Sequence, residues 1–417
     1  MIDLPKIETL QPELHHLSNG IKIYSFPSSG TELVKLDFLW EAGTAYQPHK
    51  LVASMANSLY SAASNTMTAQ ELSRFLDFRG IIVDSNIDTL RASTTYYTLS
   101  RHLRDLVPVV AELIQHPSFP QEEFEVLRAK RRQELLTYLQ RTPDMARRYF
   151  YEQLLGVEHP LGRHAVPEDI DRLKVEDVKR FYSDRYRPEG MDIVVAGKVD
   201  DHLLSLIDDN FGHLRTDTPH TDAISSLFPE NTHTPTHYCH KLEGAAQATV
   251  RMGCVLPIEW NDPDYANFLI LNTALGGYFG SRLMQNLRED KGYTYGIASR
   301  TMLFRGMSVF FITADVAHEA ANDSETEIMN ELRRLAEEPI PSEELDLVRT
   351  VVAGDFLRSV DGIFERSARF VDMLGSHVDE RLTVNLHHAL ETVTPHSLQT
   401  LAERFLKPEQ MTVVTVS

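Results

Sequence analysis

Apolar positions along this chain change their period in blocks, and each block predicts an element. Ile21 to Phe26 and Leu33 to Trp40 alternate or run apolar with β-branched and aromatic side chains, the pattern of sheet strands. The period then lengthens. Thr68-Ala-Gln-Glu71 has the spacing of a capping box and opens a helix whose Leu72, Phe75 and Leu76 share one face before Gly80 stops it. Ile81 to Ile87 and Thr89 to Tyr97 return to strand alternation and predict a hairpin, and the spacing from Ser100 to Leu155 is helical. A helix near Val175 to Tyr186 and a strand over Met191 to Ala196 close the first half.

The second half repeats that plan. His116-Pro-Ser-Phe-Pro-Gln-Glu-Glu-Phe-Glu-Val-Leu-Arg128 and Glu338-Pro-Ile-Pro-Ser-Glu-Glu-Leu-Asp-Leu-Val-Arg349 open helices of one design, with Pro120 and Pro341 standing 221 residues apart. Further along, Arg187-Pro-Glu-Gly-Met191 is echoed by Lys407-Pro-Glu-Gln-Met411, at an interval of 220. A register kept within one residue over so long a span argues for duplication. Between the copies, Asp, Thr, Ser, Pro and Asn cluster from Thr216 to Pro235 without either period, which reads as a linker. The chain therefore divides into an N-terminal lobe over 1–215, a linker over 216–235 and a C-terminal lobe over 236–417. The expected fold class is α+β: two homologous lobes, each a mainly antiparallel β-sheet packed with helices.

Composition narrows the range of functions. The 60 acidic against 41 basic residues give a formal charge of −19, which repels phosphate backbones and anionic lipid. Nucleic acid and membrane are excluded as expected partners, and cationic partners are favoured. Met1 to Leu17 holds no apolar run of signal-peptide length, and no later stretch reaches the roughly 20 apolar residues that span a bilayer. Cys239 and Cys254 are too few for a disulfide framework. A cytoplasmic location is the expectation.

Several landmarks then follow in a fixed order: Leu17-Ser-Asn-Gly-Ile-Lys-Ile-Tyr24, Trp40-Glu-Ala-Gly43, Glu158-His-Pro-Leu-Gly-Arg163, Arg187-Pro188 before the Met191 strand, and Gly276-Gly-Tyr-Phe-Gly-Ser-Arg-Leu-Met-Gln-Asn-Leu-Arg-Glu-Asp-Lys-Gly-Tyr-Thr-Tyr295. In that order, over nearly the full length, the chain resembles the insulinase/pitrilysin family of inverted-motif zinc peptidases. The resemblance implies the duplicated LuxS-metalloenzyme-like fold. Active members of the family carry H-x-x-E-H on the helix after the second strand, where two histidines bind zinc and the glutamate activates water. Here that helix reads Lys50-Leu-Val-Ala-Ser-Met-Ala-Asn-Ser-Leu59, and the motif positions fall on Ala53, Ala56 and Asn57. A methyl group cannot coordinate zinc, and a carboxamide replaces imidazole poorly. Among the 18 histidines no other such motif is complete; His318-Glu319-Ala-Ala-Asn322 comes nearest, and Asn322 breaks it. Glu134 matches the family's third zinc ligand, but beside Arg131 and Arg132 it reads as a solvated helix carboxylate with local ion pairs. The expectation is no metal ligand, no catalytic residue and no cofactor in this chain.

The resemblance assigns substrate binding to Arg288 and Tyr295, at the positions where the family places an arginine and a tyrosine that reach substrate backbone and oxyanion. Helical spacing over Leu283 to Glu289, a stop at Gly292 and alternation from Tyr293 to Ser299 allow one turn to bring both to a single surface. Gly276 and Gly277 fit either a close approach of backbone to a ligand or a helix-entry turn. Some bacterial family members are heterodimers in which one subunit carries H-x-x-E-H and the other the arginine and tyrosine. This chain looks like the second kind: a non-catalytic subunit that binds a peptide substrate, with zinc expected in the sister subunit. Self-association of the isolated chain is left open. The alternative, from a different class, is a scaffold protein with no part in proteolysis. A further cluster, His233-Thr-Pro-Thr-His-Tyr-Cys-His240, gathers four potential ligands. It reads as an exposed linker and strand start, with His237 and Cys239 on one face and His240 on the other. Hydrolysis through that cluster ranks last.

Overall fold

The computed structural model of the protein describes residues 11–216, 234–304 and 307–417. The first half forms a six-stranded sheet from β1 (Glu13–His16), β2 (Lys22–Pro27), β3 (Leu33–Trp40), β4 (Ile82–Ile87), β5 (Ala92–Leu99) and β6 (Met191–Gly197), in the spatial order β1-β2-β6-β3-β5-β4. The second half forms a five-stranded sheet from β7 (His237–His240), β8 (Ala248–Leu256), β9 (Thr294–Phe304), β10 (Met307–Val316) and β11 (Thr412–Val416), in the order β7-β11-β8-β10-β9. Each sheet has one parallel pair, β2 with β6 and β7 with β11; the other ladders are antiparallel. The α+β class with mainly antiparallel sheets holds. Most of the 216–235 linker lies outside the described residues.

Local chemistry accounts for the elements that the periodicity predicts. Thr68 accepts from the Glu71 amide and Glu71 returns a bond to the Thr68 amide, so the capping box closes around the Ala69–Arg79 helix, and Gly80 ends it at φ +62. Strand β1 has no such signature. It pairs with β2 through its backbone and through His15, whose Nε2 lies 3.0 Å from Ser25 Oγ, and it is mostly exposed, so no apolar alternation marks it. Among the described residues no helix is long and apolar enough to cross a membrane.

The duplication sets the packing. The helices Gln121–Tyr138 and Ser342–Ser359, and likewise Thr142–Leu155 and Ile363–Ser376, begin and end 221 residues apart. On one face of the first sheet Val34, Leu36, Phe38 and Trp40 pack against helices of their own half. On the other face Phe26, Leu39, Val194 and Ala196 are covered by Phe364, Phe370, Val371 and Leu374 of Ile363–Ser376, from the second half. The relation is reciprocal, for Phe150, Tyr151 and Leu154 of Thr142–Leu155 lie on Val309, Phe311, Val414 and Val416 of the second sheet. Each half thus lends a helix to the other's sheet.

Candidate functional site

The helix that would carry the zinc motif spans Val52–Leu59. Ala53 and Ala56 are fully buried, in a core that also contains Trp40, Tyr60, Tyr182 and Tyr186. Rings of Trp40 and Tyr186 stand 5.0 Å apart and those of Tyr182 and Tyr186 4.6 Å apart, so aromatic packing fills the surroundings of the helix. Burial holds the phenols of Tyr60 and Tyr186 well above the ordinary tyrosine value, which keeps them neutral hydrogen-bonding groups. Asn57, 2% exposed, is a bolt between elements. Its Nδ2 donates to the carbonyls of Asn86 at 2.8 Å and Ser93 at 3.2 Å, and its Oδ1 accepts from the Tyr186 hydroxyl at 3.1 Å. Both ends of the amide are committed to the fold.

Glu134, on Gln121–Tyr138, pairs with Arg131 at 2.9 Å and reaches Lys130 at 4.0 Å. Arg131 also donates to Ser58 Oγ at 3.2 Å, so its guanidinium lies between Glu134 and the residue next to Asn57. Arg132 turns away to Asp171 at 3.0 Å. A cation already neutralises the carboxylate that the family would offer to metal, two methyl groups stand for the other donors, and the carboxamide is engaged. This donor set does not fit zinc. Among the described residues, no group of three or more His, Cys, Asp or Glu side chains is placed to share a metal ion.

Arg288 and Tyr295 have a different setting. Arg288 lies on a π-helical segment, Met284–Asp290, and Tyr295 near the start of β9. The reversal between them is held by the Tyr293 amide donating to the Leu287 carbonyl at 2.9 Å and by Gly292 at φ +66, a conformation that glycine adopts without strain. Asn286 Nδ2 ties the segment to Glu331 at 2.8 Å, and Lys291 ties it to Glu327 at 3.4 Å. Tyr295 is 89% exposed, on a strand at the edge of its sheet. The Arg288 guanidinium stacks over the Phe279 ring at 4.5 Å from its centroid and meets Glu289 at 3.5 Å. Phe279, 65% exposed, was not singled out by sequence reasoning, because a lone phenylalanine in a loop has no periodicity to betray it. Gly276 serves packing: a Cβ there would stand 2.7 Å from the Ser299 amide nitrogen and 2.6 Å from its Oγ.

In the other cluster, His233 lies outside the described residues. His237 and Cys239 share one face of β7, with His237 Nε2 against both Glu325 oxygens at 2.9 and 3.0 Å and Cys239 Sγ 3.8 Å from His237 Nδ1. His240 takes the opposite side and packs on Tyr149 at 4.7 Å. The strand alternation separates the potential ligands as expected.

Comparison with known proteins adds an independent line. Residues 172–352 match a family profile described as the peptidase M16 inactive domain. The chain is similar to an uncharacterized zinc protease of Rickettsia bellii, 23% identical over 362 residues that cover 84% of each chain. A solved protease from Helicobacter pylori superposes with a TM-score of 0.83 at 19% identity, over 99% of this chain and 100% of that one. A solved peptidase M16 inactive domain from Pseudomonas fluorescens gives 0.86 at 17% identity, over 97% of each.

Proposed function

We propose that this chain, whose residues 172–352 match the peptidase M16 inactive domain, is the non-catalytic subunit of a zinc peptidase, binding an extended peptide and supplying Arg288 and Tyr295 to a partner that carries H-x-x-E-H and the zinc. The observation that carries this reading is a contrast within one molecule. The three positions of the lost motif, Ala53, Ala56 and Asn57, are sealed into the core, whereas Tyr295 stands in the open on the edge strand β9.

A peptide laid along that edge would pair its main chain with strand groups that have no neighbouring strand on that side among the described residues. The Arg288 fork could then donate to a substrate carbonyl, and the Tyr295 phenol to the oxygen on which charge develops during attack. Deprotonation of water and its activation would fall to the partner. The excess of acidic residues suits a peptide with basic side chains.

Reconstitution tests the proposal. The purified chain alone should cleave no peptide, and chelator-sensitive cleavage should appear when the H-x-x-E-H subunit from the same organism is added. In that complex Arg288→Ala or Tyr295→Phe should lower turnover by about 10²-fold, as loss of an oxyanion donor does. Full turnover in both variants, or a stable complex with a protein that is no peptidase, would favour a scaffold instead.

A further inference from the structure

Two arginines of the segment Gly276 to Tyr295 are held in opposite ways. Arg282 is clamped by the Glu344 carboxylate through Nε at 2.8 Å and Nη2 at 2.9 Å, and its side chain is largely buried. Such a fork-to-fork pair commits two of the five N–H donors of the guanidinium and fixes its orientation. Arg288 places its guanidinium carbon over the Phe279 ring, 4.5 Å from the centroid. Its only other polar contact among the described residues is Nε to Glu289 at 3.5 Å, too long for a strong bond.

The difference matters because a guanidinium has two kinds of surface. Its edge carries five N–H donors, and its faces carry none. Stacking on an aromatic face restrains a long, rotamer-rich side chain while its edge stays available to an acceptor. Phe279 has no competing explanation in the core, for it is 65% exposed and belongs to no buried cluster of the protein.

We infer that Phe279 is a positioning residue for Arg288, holding the guanidinium by its face so that its N–H edge is presented to the peptide main chain. This rests on the peptide-binding reading above and adds to it how the arginine is preorganised. An immobile donor avoids the entropy that a free arginine loses on binding.

The test is a double-mutant cycle in the complex reconstituted with the H-x-x-E-H subunit, read with a quenched fluorescent peptide. Phe279→Ala should lower kcat/KM about two- to fivefold, the size of an exposed cation–π contact. Phe279→Tyr and Phe279→Trp, which keep an aromatic face, should hold the wild-type value. In an Arg288→Ala background, Phe279→Ala should cause no further loss, and its unfolding temperature should match that of the parent. Losses that add in the double variant, or an unchanged kcat/KM in Phe279→Ala beside a defective Arg288→Ala, would overturn the inference and leave the peptide-binding reading standing. An Arg288→Ala complex as active as wild type would overturn both.

Discussion

Asp37 and Arg251 occupy the same place in the two halves of the duplication. Asp37 pairs across its sheet with Val194 and Arg251 with Val414, and those valines stand 220 residues apart, the interval that relates the closing strands. Both side chains are buried beneath the helix lent by the other half, yet they carry opposite charge. Asp37 lies 3.0 Å from Lys35, which also reaches Ser367 on the covering helix at 3.4 Å. Arg251 sits among the rings of Phe311, at 3.9 Å, and Phe150, at 5.1 Å. Burial raises the Asp37 carboxyl above the usual range, against the pull of Lys35, and pushes the Arg251 guanidinium down to about 10. The exchanged helices are therefore equivalent in fold and chemically specific in what they cover.

Asp37→Ala should be strongly destabilising. It leaves the Lys35 ammonium buried without its closest counter-charge, a loss of about 3–5 kcal/mol in comparable pairs. Lys35→Met together with Asp37→Leu should recover most of that stability, since both charges then disappear. Urea unfolding of the three variants decides it, and a double variant no better than Asp37→Ala would contradict the argument.

Rebuilding H-x-x-E-H by Ala53→His, Ala56→Glu and Asn57→His should not restore a metal site. The first two positions are fully buried in a packed core, where added bulk costs about 1–3 kcal/mol each. The third substitution takes the amide from the Asn86 and Ser93 carbonyls and from the Tyr186 hydroxyl. Metal analysis of a tag-free variant should find no stoichiometric zinc and a lowered melting temperature; one equivalent of zinc at an unchanged Tm would refute this.

Stability should fall in mild acid. Burial lowers the pKa of both His159 and His164 from 6.5 to about 4, so the folded chain keeps them neutral where the unfolded chain binds protons. Their contribution is whole above pH 6.5 and is lost as pH falls from there towards 4. The slope is at most about 1.4 kcal/mol per pH unit for each histidine. Urea midpoints measured between pH 7.5 and 5 should decline, and the decline should flatten in a His159→Gln, His164→Gln variant.

Gly276→Ala should damage function through packing. Its new Cβ would collide with Ser299 on β9 and stand 3.0 Å from the Leu283 side chain, forcing the strand that bears Tyr295 away from the segment that bears Arg288. The expected cost is about 1–3 kcal/mol in stability, with a fall in kcat/KM of the reconstituted complex. Normal values for both would show that the contact relaxes freely.

The sequence by itself determined the elements whose information is local. The Thr68 to Glu71 box, the Gly80 and Gly292 stops and the strand of Leu33 to Trp40 depend on neighbours a few residues away, and each forms as expected. The replacement of zinc donors at Ala53, Ala56 and Asn57 was equally legible, because a missing functional group is a fact of composition. Tertiary structure alone decided where the apolar stripes of Thr142–Leu155 and Ile363–Ser376 are buried, since the hydrophobic effect rewards burial without naming the surface that provides it. It also decided that Asn57 became a bolt, that Arg131 lies beside Glu134, and that Phe279 carries Arg288. Those roles are set by distances between segments far apart in the chain, and no periodicity along it encodes them.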